Sequence, residues 1–275
     1  MRFFNTAGPV NCEKHYCLPP LTRFDLSEIL TLISQEKYFV LHAPRQSGKT
    51  SCMLALRDYL NREGRYTVLY INVEIAQTAR SDVGRGMKAI ISQLAYEADA
   101  VLSEHSLMEN RISLFEENGE DAVLGVALSL LCKGHKRPLI LIIDEIDALV
   151  GDTLISVLRQ IRAGYTKRPD FFPSSIILCG VRDVRDYRIH SDKDKAVITG
   201  GSAFNIKAES LRLGNFTEEE TGTLLLEHTK ETGQAFDDEA LASVWNLTRG
   251  QPWLVNALAY EVCFKIEEGK NRSNL

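Results

Sequence analysis

The stretch "FVLHAPRQSGKTS", residues 39–51, joins a short apolar run of buried-strand type to the start of a helical pattern. Its second half nearly matches G-x-x-x-x-G-K-[ST], the pattern of a loop that binds phosphate between a strand and a helix. Gly48, Lys49 and Thr50 fit the pattern. Ala43 stands where the first glycine belongs, but it ends the strand and precedes the tight part of the loop. We therefore expect alanine to be tolerated there and the loop to work.

The chemistry of this loop follows from its residue types. Successive backbone N–H groups and the start of a helix would point at one phosphate group. Lys49 would reach the β- and γ-phosphates of a nucleotide, and the Thr50 hydroxyl would bind Mg²⁺. The loop residues predicted to contact the nucleotide are Pro44, Arg45, Gln46, Ser47, Gly48, Lys49, Thr50 and Ser51.

A second motif, "LILIIDEIDAL" at residues 139–149, ends a buried strand in two carboxylates. Carboxylates at the carboxyl end of a parallel strand line the crevice where open α/β sheets bind ligands. Asp144 fits the role of holding Mg²⁺, directly or through water. Glu145 fits the role of the general base that orients an attacking water. A solvated acidic turn is the alternative, and the neighbouring phosphate loop favours the magnesium site.

Arginines supply the next candidates. Arg182 follows the strand "SSIILCG" and could contact a γ-phosphate, or form a salt bridge with a nearby carboxylate. Arg159, Arg162 and Arg168 lie on or after the preceding helix. One of them could reach the nucleotide of a neighbouring subunit as an arginine finger, although surface arginines are common.

Composition places the chain among ordinary globular proteins. It has 275 residues, of which 44% are hydrophobic and 25% charged. The net charge of −5 provides no global basic field of the kind that attracts nucleic acid. The amino-terminal residues form no signal-peptide pattern, and no stretch approaches the ~20 apolar residues of a membrane span. We therefore expect a cytoplasmic protein with no membrane partner.

Six cysteines are scattered along the chain, at positions 12, 17, 52, 132, 179 and 263. They form no C-x-x-C pair, and Cys12 and Cys17 have no second pair at zinc spacing. We expect reduced and mostly buried thiols.

Alternation of strand and helix patterns predicts an α/β fold with a parallel sheet covered on both faces. The predicted strands are 38–43, 66–73, 138–143, 174–180 and 209–214. The predicted helices of this part are 48–64, 82–99, 119–132 and 152–165, the last with Asp152 at its cap. Residues 1–23 are irregular and are expected to form an arm that lies on the domain without joining its core. The α/β core is then predicted to span residues 24–214.

Residues 215–275 change to a purely helical pattern, which predicts a small lid domain. Thr217 and Glu220 form a capping box at its first helix. In "RGQPW", residues 249–253, Pro252 and Trp253 begin another helix. This helix could close over an adenine ring, or the segment could serve only as a helix cap.

Together, "HAPRQSGKT", "LILIIDEIDAL", "LCGVRD" and "GQPW" resemble the motifs of AAA+/STAND-type P-loop ATPases, most closely the bacterial AAA-like ATP-binding protein family. The resemblance covers nearly the whole chain. It implies a five-stranded sheet in the order 5-1-4-3-2 and ATP bound between core and lid, with Tyr16 to Leu21 near the adenine.

The resemblance also implies residue roles. Lys49 and Thr50 match the Walker A motif, and Asp144 and Glu145 match Walker B. The strand-end sensor is matched by Arg182, and the lid proline of STAND switches by Pro252. The chain departs from the family pattern at Ala43 and lacks a clear arginine at the start of the last lid helix. These departures favour a switch over a processive motor.

The resulting prediction is an ATPase that binds Mg²⁺-ATP and hydrolyses it as a conformational switch, slowly in the absence of a partner. Such switches often oligomerise with ATP bound and act on an effector region, which we expect to be absent from this chain or removed. The alternatives are a regulatory module that binds ATP or ADP without hydrolysis, a P-loop kinase, and a DNA-associated ATPase. The basic stretches 133–138 and 182–188 permit nucleic-acid binding but do not indicate it.

Overall fold

The structure is a computed structural model, which describes residues 1–133, 135–191, 196–199 and 204–266. The strands are β1 (Phe3–Phe4), β2 (His15–Tyr16), β3 (Tyr38–His42), β4 (Thr67–Asn72), β5 (Leu139–Asp144), β6 (Ser175–Gly180), β7 (Arg188–Ser191), β8 (Ala196–Thr199) and β9 (Lys207–Arg212). The α-helices are α1 (Leu26–Ser34), α2 (Lys49–Glu63), α3 (Val83–Leu102), α4 (Ser106–Asn118), α5 (Val123–Cys132), α6 (Gly151–Gly164), α7 (Glu218–Thr232), α8 (Asp238–Thr248) and α9 (Pro252–Tyr260).

The chain packs as two compact units. The arm–lid unit contains residues 1–26, 44–55 and the described residues from Leu213 onward. The core unit contains residues 27–43 and 56–212. The phosphate loop thus packs with the arm and the helical region. The division into arm, core and lid at residues 23 and 214 stays a proposal based on the sequence.

A parallel five-stranded sheet forms the centre of the core unit, in the order β4-β5-β6-β3-β9. If these five strands are numbered 1 to 5 in chain order, the sheet reads 5-1-4-3-2 from β9 to β4. The predicted strand order is therefore confirmed. Every residue of β5 and β6 is buried. Apolar runs such as "LILII" suit strands that are covered on both faces and flanked by neighbours.

Helices α3, α5 and α6 pack on one another and share one apolar core with the sheet. Helix α3 runs to Leu102, three residues beyond the predicted end. Sequence analysis missed α4, whose polar sequence carries only two buried residues, Leu107 and Leu114. It also missed β7 and β8, which form a short antiparallel pair outside the main sheet.

The prediction that Asp152 caps α6 was wrong. Val150 is the cap residue, and the helix already begins at Gly151. Asp152 lies in the first turn, where its side chain is buried. An acidic residue in the first turn is stabilised by the helix dipole. An acidic residue near a helix start can therefore lie two positions after the cap, as Asp152 does.

The arm contributes to the hydrophobic interior of the arm–lid unit, contrary to the prediction. Strands β1 and β2 pair in parallel, and Phe4 and Tyr16 are fully buried. They share a cluster with apolar side chains of the lid, including Phe216 before the first lid helix and Val255 in α9. Three short helices enclose too little apolar area to be stable alone, and the two aromatic rings complete their core.

The cysteine prediction was partly wrong. Cys12 and Cys17 form a disulfide within the arm. Cys52, Cys132, Cys179 and Cys263 are buried, as expected. In the described part of the chain, no helix is long and apolar enough to cross a membrane.

Gly250 lies where two segments of the lid meet, at a backbone φ of 70°. Its carbonyl accepts a hydrogen bond from the Phe216 N–H at 2.8 Å. A Cβ at this position would lie 2.0 Å from the Phe216 carbonyl oxygen, so only glycine fits.

We expect Gly250→Ala to lower the free energy of unfolding by about 3 kcal/mol, because positive φ and a backbone clash add together. Gly233→Ala is the matched control. Gly233 also has a positive φ, 77°, but the space around its Cβ position is open. Gly233→Ala should lower the free energy of unfolding by only about 1 kcal/mol, from backbone strain. Urea unfolding of both variants measures the difference, and equal losses would contradict the proposed clash.

Candidate functional site

The phosphate loop is held in a tight turn by its own polar atoms. Gln46 and Gly48 adopt positive φ values of 60° and 89°. The carbonyl oxygen of Pro44 accepts hydrogen bonds from the Ser47 hydroxyl at 2.8 Å and from the Lys49 ammonium at 3.0 Å. Helix α2 starts at Lys49, so the loop leads directly into a helix amino terminus. This is the geometry in which backbone N–H groups favour an anion.

Lys49 is the most informative side chain of the loop. It is 5% exposed, and burying an ammonium group is costly unless it is compensated. Its Nζ lies against the Pro44 carbonyl within the same turn. The loop thus holds a largely buried ammonium group beside a helix amino terminus, and its role toward a phosphate stays a prediction.

Ser51 and Cys52 connect the loop helix to the arm. The Ser51 hydroxyl oxygen accepts a hydrogen bond from the Val10 N–H at 3.0 Å. The Cys52 thiol donates to the Pro20 carbonyl at 3.3 Å. Burial raises the pKa of the Cys52 thiol to about 11, so this thiol is neutral at physiological pH. The hydrogen bonds of Ser51 and Cys52 thus hold the arm beside the phosphate loop.

A cavity of about 190 Å³ lies beside the loop, entirely within the arm–lid unit. Four of the predicted nucleotide contacts line it: Gln46, Gly48, Ser51 and Pro252. The arm and the lid helices supply the rest of the lining, which is largely apolar. A small cavity with an apolar lining and a few polar groups suits a flat organic ligand.

Arg23 is a cavity residue that sequence analysis did not single out. Its guanidinium lies over the Phe216 ring, 4.3 Å from the ring centroid, and donates to the Gly214 carbonyl at 2.7 Å. Burial lowers the pKa of this guanidinium below its usual value. No sequence pattern distinguishes Arg23 from a surface arginine, because its position depends on the fold of the arm.

The segment "RGQPW" forms the predicted helix start, and its place over an adenine stays a prediction. Gln251 caps α9, since its side-chain oxygen accepts from the Leu254 N–H at 2.6 Å. Pro252 is the first residue of the helix. Pro252 and Trp253 also line the cavity, and the Trp253 indole donates to the Thr6 carbonyl at 2.9 Å. The helix start therefore fastens the arm as well as bordering the cavity.

The acidic motif lies at the carboxyl end of β5 in the core unit. Asp144 is fully buried. Its two oxygens accept from the Tyr70 hydroxyl at 2.8 Å and from the Glu145 N–H at 2.9 Å. Burial, reinforced by the Asp144 charge, raises the pKa of Tyr70, which therefore stays a hydrogen-bond donor. The sequence did not single out Tyr70, which lies within β4 and belongs to no motif.

Glu145 and Arg182 leave the same edge of the sheet. Strand β5 pairs with β6, so residues after their carboxyl ends are neighbours. Glu145 has a left-handed backbone with φ of 57°, a strained conformation of the kind that clusters at functional sites. Arg182 follows β6 by two residues and its side chain is exposed. The roles of both stay predictions.

Ala43 takes the position expected from the sequence. It is buried, and its N–H donates to the Gly180 carbonyl at 3.1 Å, which continues the pairing of β3 with β6 by one residue. Its φ is not positive. The alanine thus ends the strand and needs none of the freedom of glycine, as predicted.

Comparison with known protein families shows which family the chain belongs to. Residues 22–175 match the model of the nephrocystin 3 N-terminal family, and this stretch is more than half of the chain. The chain belongs to the nephrocystin 3 N-terminal family. The matched stretch of this family member includes the phosphate loop, Asp144 and Glu145, and it ends before Arg182 and Pro252. No curated protein sequence matches the chain.

Solved structures show which fold this nephrocystin 3 N-terminal family member has. Cdc6p from Pyrobaculum aerophilum superposes with a TM-score of 0.59 at 16% identity, covering 94% of this chain and 64% of Cdc6p. The Walker-type ATPase of Pyrococcus abyssi gives 0.58 at 15% identity, covering 95% and 71%. Domain III of the replication initiation protein DnaA from Thermotoga maritima gives 0.53 at 16% identity, covering 96% and 93%.

At these identities the likeness concerns the fold, which is that of P-loop AAA+ ATPases. The chain of this family member spans about 64% of the length of Cdc6p. The fold carries the phosphate loop and the acidic motif at the places where the sequence predicted them.

Proposed function

We propose that this chain binds Mg²⁺-ATP at the phosphate loop and hydrolyses it, acting as a nucleotide-driven switch of AAA+/STAND type. One observation carries the proposal. A phosphate loop with a desolvated lysine borders a cavity whose lining comes from the arm and the lid. The loop suits the phosphates, and the adjoining cavity suits the adenine base.

The residues of the loop would hold the triphosphate. Lys49 places its charge beside the β- and γ-phosphates after leaving the Pro44 carbonyl, and backbone N–H groups of the loop donate to phosphate oxygens. Gly48 keeps the loop close to the ligand, because its φ of 89° would be strained in any residue with a Cβ. Pro44, Arg45, Gln46, Ser47 and Ser51 shape the remaining loop.

We propose the Thr50 hydroxyl and the Asp144 carboxylate as ligands of Mg²⁺, because each offers the oxygen that Mg²⁺ prefers. The Asp144 oxygens accept hydrogen bonds from the Tyr70 hydroxyl and the Glu145 N–H. A bound Mg²⁺ would neutralise part of the phosphate charge.

Glu145 and Arg182 would carry out the chemistry. Glu145 orients a water molecule and accepts its proton as that water attacks the γ-phosphate. Arg182 stabilises the charge on the γ-phosphate and reports its presence. Both residues follow neighbouring strands of one parallel sheet, and this supports a joint role.

Phosphate release from ATP, measured with Mg²⁺ across a range of protein concentrations, tests this proposal. Turnover that requires Mg²⁺ is the expected result. A rise in specific activity with concentration would support self-association and an arginine acting in trans. Tight ATP binding without turnover at any concentration would favour the alternative of a binding module that does not hydrolyse its ligand.

Partners and location are proposed on the same basis. We propose a homo-oligomer in the ATP state, an effector protein that remains to be identified, and a cytoplasmic location. The proposal includes no membrane partner. It also assigns no role to nucleic acid, for which the sequence offers only the two basic stretches.

A further inference from the structure

The peptide bond between Gln46 and Ser47 lies at the tip of the phosphate loop. Gln46 adopts φ of 60°, a conformation that is strained for a residue with a side chain. The Gln46–Ser47 peptide has a second orientation, reached by rotation about ψ of Gln46 and φ of Ser47, in which its carbonyl and its N–H exchange directions. A contact to either group would select one of the two orientations.

Gln251 contacts this peptide from the lid. Its side-chain amide nitrogen donates to the Gln46 carbonyl oxygen at 3.3 Å. The amide oxygen of the same side chain accepts from the Leu254 N–H at 2.6 Å and caps α9. One side chain thus joins the start of a lid helix to the backbone of the phosphate loop, within a single compact unit.

The position of Gln251 is fixed by the residues before it. Gly250 packs against the Phe216 backbone so closely that no Cβ fits. The Arg249 carbonyl accepts from the Asn215 side chain at 3.1 Å, and the Gln251 N–H donates to the Thr248 carbonyl at 3.0 Å. The amide of Gln251 therefore projects from a rigid turn.

The planarity of the peptide bond gives this contact a consequence for the ligand. In a trans peptide the C=O and the following N–H point in opposite directions. While the Gln46 carbonyl points at Gln251, the Ser47 N–H must point away from the start of α9. A reversed peptide would instead direct a carbonyl oxygen, which is partially negative, to the place of that N–H.

We propose that Gln251 is a positioning residue, which holds the Gln46–Ser47 peptide so that the Ser47 N–H donates to a nucleotide phosphate. This inference rests on the proposed function, since it needs a phosphate ligand in the loop. It adds a regulatory consequence. Any movement of α9 releases the Gln46 carbonyl and lowers the affinity of the loop for phosphate.

Gln251→Asn should keep the cap hydrogen bond from the Leu254 N–H and lose the hydrogen bond to the Gln46 carbonyl. Asparagine is a preferred cap residue and keeps a neutral amide, but it is shorter by one methylene group and cannot span to Gln46. We expect the variant to bind ATP and ADP about tenfold more weakly, since a hydrogen bond to a charged group is weakened. Its affinity for adenosine, which has no phosphate, should be unchanged.

Calorimetric titration of wild-type protein and variant with ATP, ADP and adenosine measures these affinities, and thermal unfolding shows whether the lid stays folded. As a second measurement, ADP should shift the Ser47 amide resonance strongly downfield in the wild type and weakly in the variant. Wild-type affinity for ATP in the variant would overturn the inference, and so would equal losses for ATP and adenosine. A wild-type protein that binds no nucleotide would instead refute the proposed function, and this inference with it.

Discussion

Lys49→Ala should abolish saturable ATP binding. The Lys49 ammonium is already desolvated in the loop, so its attraction to a triphosphate is not weakened by the loss of a hydration shell. Removing it takes away the positive charge that the loop places beside the β- and γ-phosphates. A loss of about a hundredfold or more in affinity is expected, because charge-assisted hydrogen bonds are the strongest contacts in such a loop. Calorimetric titration with Mg²⁺-ATP measures the loss.

Ala43→Gly is the matched control in the same loop. Ala43 continues the pairing of β3 and has no positive φ, so glycine restores the usual motif without a new contact. Its ATP affinity should equal that of the wild type, apart from a small cost in stability from backbone freedom. If the two variants lost equal affinity, the assignment of Ala43 to the strand end would be wrong. A melting temperature for each variant separates loss of binding from loss of fold.

Glu145→Gln should stop turnover while leaving ATP bound. The amide keeps the size of the side chain and its left-handed backbone at φ of 57°, but it cannot accept a proton from water. General-base catalysis contributes about 10²- to 10⁴-fold, so kcat should fall by that factor. Phosphate release at saturating ATP measures kcat, and titration of the inactive variant measures binding.

A neutralised glutamate elsewhere serves as the control for this variant. Glu109 lies exposed on α4, and Glu109→Gln changes the net charge of the chain by the same amount. It should keep the wild-type rate. An unchanged rate in Glu145→Gln would remove Glu145 from the chemistry, and loss of ATP binding in that variant would show a role in binding instead.

The sheet could be predicted because its signals are local. Strands β3 to β6 are mostly apolar runs, and the phosphate loop marks the join between β3 and α2 by its residue types alone. The strand order came from the family resemblance, and the structure confirms it. Helix α4 has few buried residues to create a periodic pattern, and its stability depends on packing against α3 and α5.

The arm could not be predicted because its role depends on contacts far along the chain. Phe4 and Tyr16 are buried by lid residues more than two hundred positions away, and a two-residue strand has no period to detect. The disulfide between Cys12 and Cys17 depends on the same local fold of the arm.

The candidate site, like the fold, could be predicted from the sequence only in part. Its chemical residues stand in motifs, whereas Tyr70, Arg23 and the contact between Gln251 and Gln46 arise from tertiary structure. Gln46 and Gln251 lie in quoted motifs, but neither motif predicts that the two residues touch. Residues that orient the reacting groups are spread over the fold, and their positions follow only once the backbone is known.

Titration of the wild-type chain with Mg²⁺-ATP tests the central claim most directly. We predict saturable binding of one ATP per chain, competed by ADP and lost in Lys49→Ala. A folded wild-type protein that binds no ATP would contradict the account, because a phosphate loop with a buried lysine would then have no phosphate ligand of this class.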